Sequence, residues 1–237
     1  MSLLNKIDHL SVSSILKWID CPQSWWAKYV DGVDAPTTEA ASFGSQFDQL
    51  VSHQLGKGEK PENLLEGVED AVVGYMSQPF AMKEITGAQE KVWITPDQWA
   101  VHGEIFGIST EIFKPVLGYI DLENALRGKL VDLKTSSRAG AQAKWAFQVL
   151  IYAIERQYRS AEIHLMTRTK TPAYYQYRVP VHEESIRWAM SQFAFYAKQI
   201  ENALRSGNGE NLPRNADYWC NWCGDINCVM KKGGVII

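Results

Sequence analysis

The chain has 237 residues, 46% of them hydrophobic, with 24 Lys and Arg against 27 Asp and Glu and a formal net charge of −3. That length holds one large domain or two small ones, with enough apolar residues for a packed core. There is no run of eighteen apolar residues, and Met1-Ser2-Leu3-Leu4-Asn5-Lys6 lacks the apolar region of a secretory signal, so an intracellular protein without a membrane span is expected.

In chain order, Ser11 to Tyr29 reads as helix, with Ser11 or Ser13 as the cap and Ile15, Leu16, Ile19, Trp25, Trp26 and Tyr29 on its apolar faces. Cys21-Pro22 interrupts that pattern and predicts two helical pieces with a bend. Asp31 to Thr38 is a loop by its Gly, Pro and Asp content. Ala41 to Leu55 is a helix with Phe43, Phe47, Leu50 and Val51 at helical spacing, Gly56 to Pro61 is a break, and Leu64 to Met76 is another helix. From Glu84 the pattern changes. Glu90 to Ile94, Trp99 to Gly103 and Ile112 to Leu122 read as strands, Pro96-Asp97-Gln98 as the turn joining the first two, and Leu130 to Leu133 as a further strand. Ala139 to Tyr158 is a helix nearly free of breakers. Ala161 to Thr167 and Tyr174 to Val179 return to strand, with Pro172 in the turn between them. Glu183 to Leu204 is a long helix striped by Ile186, Met190, Phe193, Tyr196, Ala197 and Ile200, and Asn208 to Asp217 is a polar loop leading to a cysteine cluster. The order implies an α/β (α+β) fold with a mixed central sheet flanked by helices, and no internal repeat or low-complexity segment occurs.

Two short runs carry chemistry. Gly118-Tyr119-Ile120-Asp121 ends an apolar stretch on a carboxylate, and Val131-Asp132-Leu133-Lys134 sets a carboxylate and an ammonium two residues apart. Side chains alternate along a strand, so Asp132 and Lys134 point the same way. Asp121 precedes Asp132 by eleven positions across a polar break (Glu123, Asn124, Arg127, Gly128), a spacing that suits adjacent antiparallel strands. Two hard oxygen ligands suit Mg²⁺ or Mn²⁺, and such a cation beside a lysine activates water against a phosphodiester. The acidic balance counts against a nucleic-acid partner, but Lys129, Arg138 and Lys144 surround this centre, and Arg168 and Lys170 follow on a later strand-like segment.

The pattern of Asp121 followed by Asp132-Leu133-Lys134 resembles the PD-(D/E)XK nuclease superfamily, and further matches point to its RecB-like branch. Gln148 and Tyr152 form Q-x-x-x-Y after the lysine, and Ser11-Val12-Ser13-Ser14-Ile15-Leu16 with Trp18 and Cys21-Pro22 looks like the N-terminal segment of that branch. Gly44-Ser45-Gln46-Phe47-Asp48 fits the G-x-x-x-H frame with aspartate in place of histidine. Cys21, Cys220, Cys223 and Cys228 look like the split four-cysteine set of its iron-sulfur members, such as the AddB-type nuclease domain and CRISPR-associated or viral RecB-like exonucleases.

The resemblance implies a restriction-endonuclease-like core in a single domain, 1–237, with a helical part at about 11–80, the core at about 84–204 and the cysteine cluster at 218–228. It implies catalytic roles for Asp121, Asp132, Lys134, Gln148 and Tyr152. Mg²⁺ or Mn²⁺ is expected on Asp48, Asp121, Asp132 and the Leu133 carbonyl. Cys21, Cys220, Cys223 and Cys228 are expected to hold a [4Fe-4S] cluster that joins the N- and C-terminal segments, with structural Zn²⁺ as the alternative. Arg138, Lys144, Arg168 and Lys170 are the expected DNA contacts. The implied activity is metal-dependent exonuclease cleavage of single-stranded DNA or DNA ends, in viral or cellular recombination, repair or processing, with room for a helicase or recombination partner in trans. Two other readings stand beside it: an inactive or partner-activated DNA-binding subunit, for which Asp48 is the main support, and a zinc-stapled adaptor.

Overall fold

The computed structural model describes residues 2–140, 142–215, 223 and 228. Two compact units emerge from its packing, one made of Thr37–Trp93 and Gly118–Ala189, the other of Met1–Pro36, Ile94–Leu117 and Met190–Ile237.

Among the described residues, the second of these units is mostly helical. Helices α1 (Val12–Asp20) and α2 (Pro22–Tyr29) divide where expected. Ser11 and Ser14 form a reciprocal capping box that starts α1, while extended Cys21 ends it because the residue before a proline avoids helical geometry. Trp18 and Trp25 meet edge to face at 5.4 Å, and the Trp18 indole N–H donates to Gln199 at 3.0 Å. Helix α5 (Pro96–Ile105) corrects the strand expected over Trp99–Gly103 and the turn expected at Pro96–Gln98. Thr95 and Gln98 cap each other reciprocally and Pro96 sits in the first turn, so the supposed turn residues are a helix start. Trp99 is fully buried against Phe193 of α7 (Glu183–Ser206), with ring centroids 5.1 Å apart.

The other unit is built on a five-stranded mixed sheet in the order β1 (Gly87–Ile94), β2 (Val116–Asn124), β3 (Lys129–Ser136), β4 (Ser160–Thr167), β5 (Tyr174–Val179). β2 begins at Val116 rather than Ile112. β2/β3 and β4/β5 are antiparallel and β3/β4 parallel. The parallel pair needs a crossover, which α6 (Ala143–Arg156) provides while packing on both strands. Helices α3 (Glu39–Gln54) and α4 (Val68–Met76) share a core with the sheet through Phe47, Val72, Tyr75, Leu122, Val131 and Leu133. α4 is shorter than the pattern of 64–76 suggests: Gly67 takes a left-handed φ of 81°, so the helix starts after it, while Leu64 and Leu65 pack onto the core from outside the helix. Val131 and Leu133 face this core, so the intervening Asp132 and the following Lys134 alternate to the other side of β3.

Candidate active site

Strand pairing brings the two acidic motifs together. Leu122 lies opposite Val131, and continuing that register by one position sets Asp121 beside Asp132. The Leu133 N–H donates to Asp121 Oδ2 at 2.8 Å, and the Gln89 amide donates to Oδ1 at 3.3 Å, so both oxygens of Asp121 are held. Lys134 Nζ lies 2.8 Å from both oxygens of Asp132, with hydrogen-bond geometry to Oδ1. Asp132 is only 2% exposed, and its Oδ2 has no hydrogen bond of its own.

Asp48 enters from α3. A Cβ on Gly44 would lie 3.0 Å from Thr135 Oγ1, so the glycine permits the close approach of α3 to β3 that carries Asp48 one turn later to the site. Asp48 Oδ1 is buried without a hydrogen-bond partner. Burial raises the Asp48 carboxyl well above its ordinary range, and the charges of Asp121 and Asp132 raise it further, against the pull of Lys134. Burial likewise raises Asp121, opposed by Lys134, the Leu133 N–H and Gln89. Asp132 is pushed up to about 7 by burial, with Lys134 opposing and Asp121 adding to the shift. For Lys134, burial pulls downward but Asp132 and Asp121 outweigh it, and the ammonium is held above its usual range. One ammonium therefore faces three carboxylates that repel one another in a desolvated setting.

Among the described residues, no three His, Cys, Asp or Glu side chains form a group that could hold a metal ion as they stand. The physical reason lies in the pairing: Asp132 is turned to Lys134, and Asp121 to Leu133 and Gln89. The donor chemistry nonetheless fits a hard cation: Asp48 Oδ1 and Asp132 Oδ2 are buried carboxylate atoms lacking hydrogen bonds, the second of them in ion-pair contact with Lys134.

Gln148 and Tyr152 are one turn apart on α6, and the Gln148 amide donates to the Tyr152 hydroxyl at 3.4 Å. Burial drives the Tyr152 phenol up to about 12, with the Asp132 charge adding to the shift. Gly118 makes room for this ring: a Cβ there would lie 2.3 Å from it and 2.6 Å from the hydroxyl. A Gly118→Ala protein is expected to lose roughly 1–3 kcal/mol of stability as the ring is forced aside. Urea unfolding measures this, and an unchanged midpoint would remove Gly118 from that role.

The basic residues gather near the same strand ends. Arg138 follows β3, with its N–H on Ser136 Oγ at 3.2 Å, and the Arg168 N–H donates to the Ser136 carbonyl at 2.7 Å. Lys144 lies in the first turn of α6, and exposed Lys170 in the β4–β5 connection. Two contributors, Gly118 and Gln89, have no role assigned by the motifs. Gly118 carries a legible sign, because a glycine inside a strand marks close approach. Gln89 carries none: its φ of 54° is a left-handed conformation inside β1 that its residue type does not announce.

The cysteines lie elsewhere. Cys21 is the residue between α1 and α2. Cys223 Sγ is 3.4 Å from Ser24 Oγ as its donor, and the Asn215 amide donates to the carbonyls of Ile19 and Asp20 at 3.3 and 3.0 Å. Cys21, Cys223 and Cys228 form no disulfide with one another, and Cys220 lies outside the described residues. A cluster joining the chain termini is not seen among the described residues. None of the described helices is long and apolar enough to cross a membrane.

Comparison with known proteins follows the same lines. The family model of the PD-(D/E)XK nuclease superfamily matches residues 9–226. Similar in fold is the crystal structure of a candidate exonuclease from Eubacterium rectale, with a TM-score of 0.61 at 18% identity, covering 99% of this chain and 90% of that one. A phage-related exonuclease from Haemophilus somnus aligns over 83% of this chain and 96% of its own at 13% identity, but its TM-score of 0.30 carries no weight. The curated proteins include no match to the sequence.

Proposed function

The chain belongs to the PD-(D/E)XK nuclease superfamily, and on that premise we propose that it is a divalent-cation-dependent DNA exonuclease acting on single-stranded DNA or DNA ends. The observation that supports this most is the meeting of Asp121, Asp132 and Lys134 on adjacent antiparallel strands, with buried Asp48 at their side. Three carboxylates and one ammonium leave two negative charges, a deficit that one divalent cation matches. Asp48, Asp121 and Asp132, with the Leu133 carbonyl, would hold Mg²⁺ or Mn²⁺. When bound, the ion lowers the pKa of water and offsets charge on the phosphoryl oxygens.

The protein's own groups supply the rest. Lys134 keeps its proton at neutral pH because Asp132 and Asp121 outweigh its burial, so it acts as a donor toward charge developing on the phosphodiester and not as a base. Tyr152 also stays protonated, and with the Gln148 amide it offers a neutral polar edge beside Asp132. Arg138, Lys144, Arg168 and Lys170 would take DNA phosphates near the strand ends.

Cleavage of linear single-stranded, linear double-stranded and closed circular DNA with Mn²⁺ tests the exonuclease reading. Linear substrates are expected to shorten from an end while circles stay closed. Nicked or linearised circles would overturn the exonuclease assignment.

For the cysteines we propose that Cys21, Cys220, Cys223 and Cys228 hold a [4Fe-4S] cluster, with Zn²⁺ as the competing ion. The support is local: Asn215 bonds the Ile19 and Asp20 carbonyls and Cys223 bonds Ser24, on either side of Cys21 at the α1–α2 junction. Anaerobically prepared protein is expected to contain iron and sulfide with charge-transfer absorption. Zinc without iron would replace the cluster by a zinc site.

A further inference from the structure

A second charged feature lies away from the carboxylates. A cleft of about 590 Å³ opens where β3 begins and β5 ends, walled by the segment 79–84 that follows α4. Lys129 and Lys134 are five residues apart on β3, roughly 16 Å, and they alternate to opposite faces of the sheet. The cleft is therefore separate from the candidate active site.

Its charge is organised. Lys83, Arg127, Lys129 and Arg178 line it, against the carboxylates of Glu84 and Glu162. Glu162 is 5% exposed and accepts from Lys129 Nζ at 2.7 Å and His164 Nε2 at 2.9 Å, with Arg178 Nε at 3.9 Å. His164 is itself buried and fixed by the Tyr75 hydroxyl at 2.9 Å. Glu162 thus acts as an anchor: facing inward, it pins Lys129 to the wall and draws the exposed Arg178 over the rim. Arg127 pairs with Glu84 at 2.6 Å. Four cations against two carboxylates leave two positive charges in a chain whose net charge is −3. The floor is apolar, formed by Phe80, Ala81 and Met82, and the Phe80 ring meets His164 edge-on at 5.1 Å.

We propose that this cleft is a nucleotide-phosphate site: the cations take the phosphate and the Phe80–Met82 floor takes the base. The surplus of two positive charges matches a phosphate monoester dianion, and charge-assisted hydrogen bonds from arginine and lysine suit its oxygens. A free nucleoside monophosphate and a DNA strand both present a base beside phosphate oxyanions, the first as a monoester dianion and the second as successive diester monoanions. The inference does not depend on the cleavage reading, because binding is measured without a metal.

The experiment is calorimetric titration in EDTA with deoxythymidine monophosphate, inorganic phosphate and thymidine, alongside fluorescence anisotropy with a short labelled oligothymidylate. Wild type and Arg178→Glu are compared. Arg178 has 84% of its side chain exposed, so the reversal leaves the core untouched. Tighter binding of the monophosphate than of phosphate or thymidine, weakened about tenfold in Arg178→Glu, is the expected result. Binding of the oligonucleotide alone, weakened in the same way, assigns the site to the strand. Equal affinity of the two proteins for every ligand, or no binding by the wild type, overturns the proposal. Loss of DNA cleavage in wild type would sink the nuclease reading without affecting these titrations.

Discussion

Asp132→Asn is expected to abolish cleavage and at the same time to make the metal-free protein more stable. The carboxylate is almost fully buried, and its pKa is pushed up to about 7, so at neutral pH the fold bears the cost of keeping it charged. Asparagine keeps the shape and still accepts from Lys134 through Oδ1. It removes the charge that Asp48 and Asp121 repel. Thermal unfolding above pH 7 without divalent cation should show a melting temperature raised by roughly 2–6 °C. Cleavage should fall at least about 10³-fold, because a neutral amide is a poor ligand for a hard cation. A mutant that is both less stable and inactive would point to a structural role for Asp132. A mutant that still cleaves would remove it from the site.

The second large effect is a pH dependence of stability in the metal-free protein. A carboxyl whose folded pKa lies above its unfolded value binds more protons folded than unfolded, so it destabilises the fold as pH rises through the window between the two. For Asp132 that window runs from about 4 to about 7, and the lost stability is on the order of 4 kcal/mol at most. Two other groups act in the opposite direction. Glu162 has a carboxyl held at about 2, because its hydrogen bonds from His164, Lys129 and Gln176 outweigh its burial. It contributes stability above its unfolded pKa that is lost as pH falls toward 2. Burial lowers the His164 imidazole, so its contribution is lost as pH falls below the ordinary histidine range. The Asp132 component is therefore isolated as the difference between wild type and Asp132→Asn across pH 4–8. That difference should grow with pH in EDTA and shrink when Mn²⁺ is added. A flat difference would mean that Asp132 is not held in this raised state.

Much of the site was legible because it depends on strand alternation and short spacing. The D-x-K run fixed Asp132 and Lys134 to one face, and eleven residues with a polar break matched the antiparallel register around Leu122 and Val131. The G-x-x-x-D frame pointed to Asp48 as a candidate ligand, while the close approach of α3 to β3 at Gly44 shows only in the fold. The missed helix α5 shows where local pattern misleads. Trp99, Val101 and Gly103 alternate like a strand, but Thr95-Pro96-Asp97-Gln98 carries a capping box whose meaning overrides that alternation. Gln89 could not be read at all, since its contact with Asp121 depends on a backbone conformation and on the pairing of distant strands. The anchored cleft around Glu162 was equally hidden: Lys129 read as a neighbour of the candidate active site, yet it is turned to the other face of β3 by the parity of the strand.

The most direct test of the central claim is the cleavage rate of end-labelled single-stranded DNA with saturating Mn²⁺, measured for wild type and for Lys134→Met, which keeps most of the side-chain volume. Circular dichroism establishes that both proteins are folded. The account predicts Mn²⁺-dependent shortening by wild type and a rate at least about 10²–10³-fold lower in the variant, because the ammonium paired with Asp132 is gone. Equal rates in the two folded proteins, or cleavage that persists in EDTA, would contradict it.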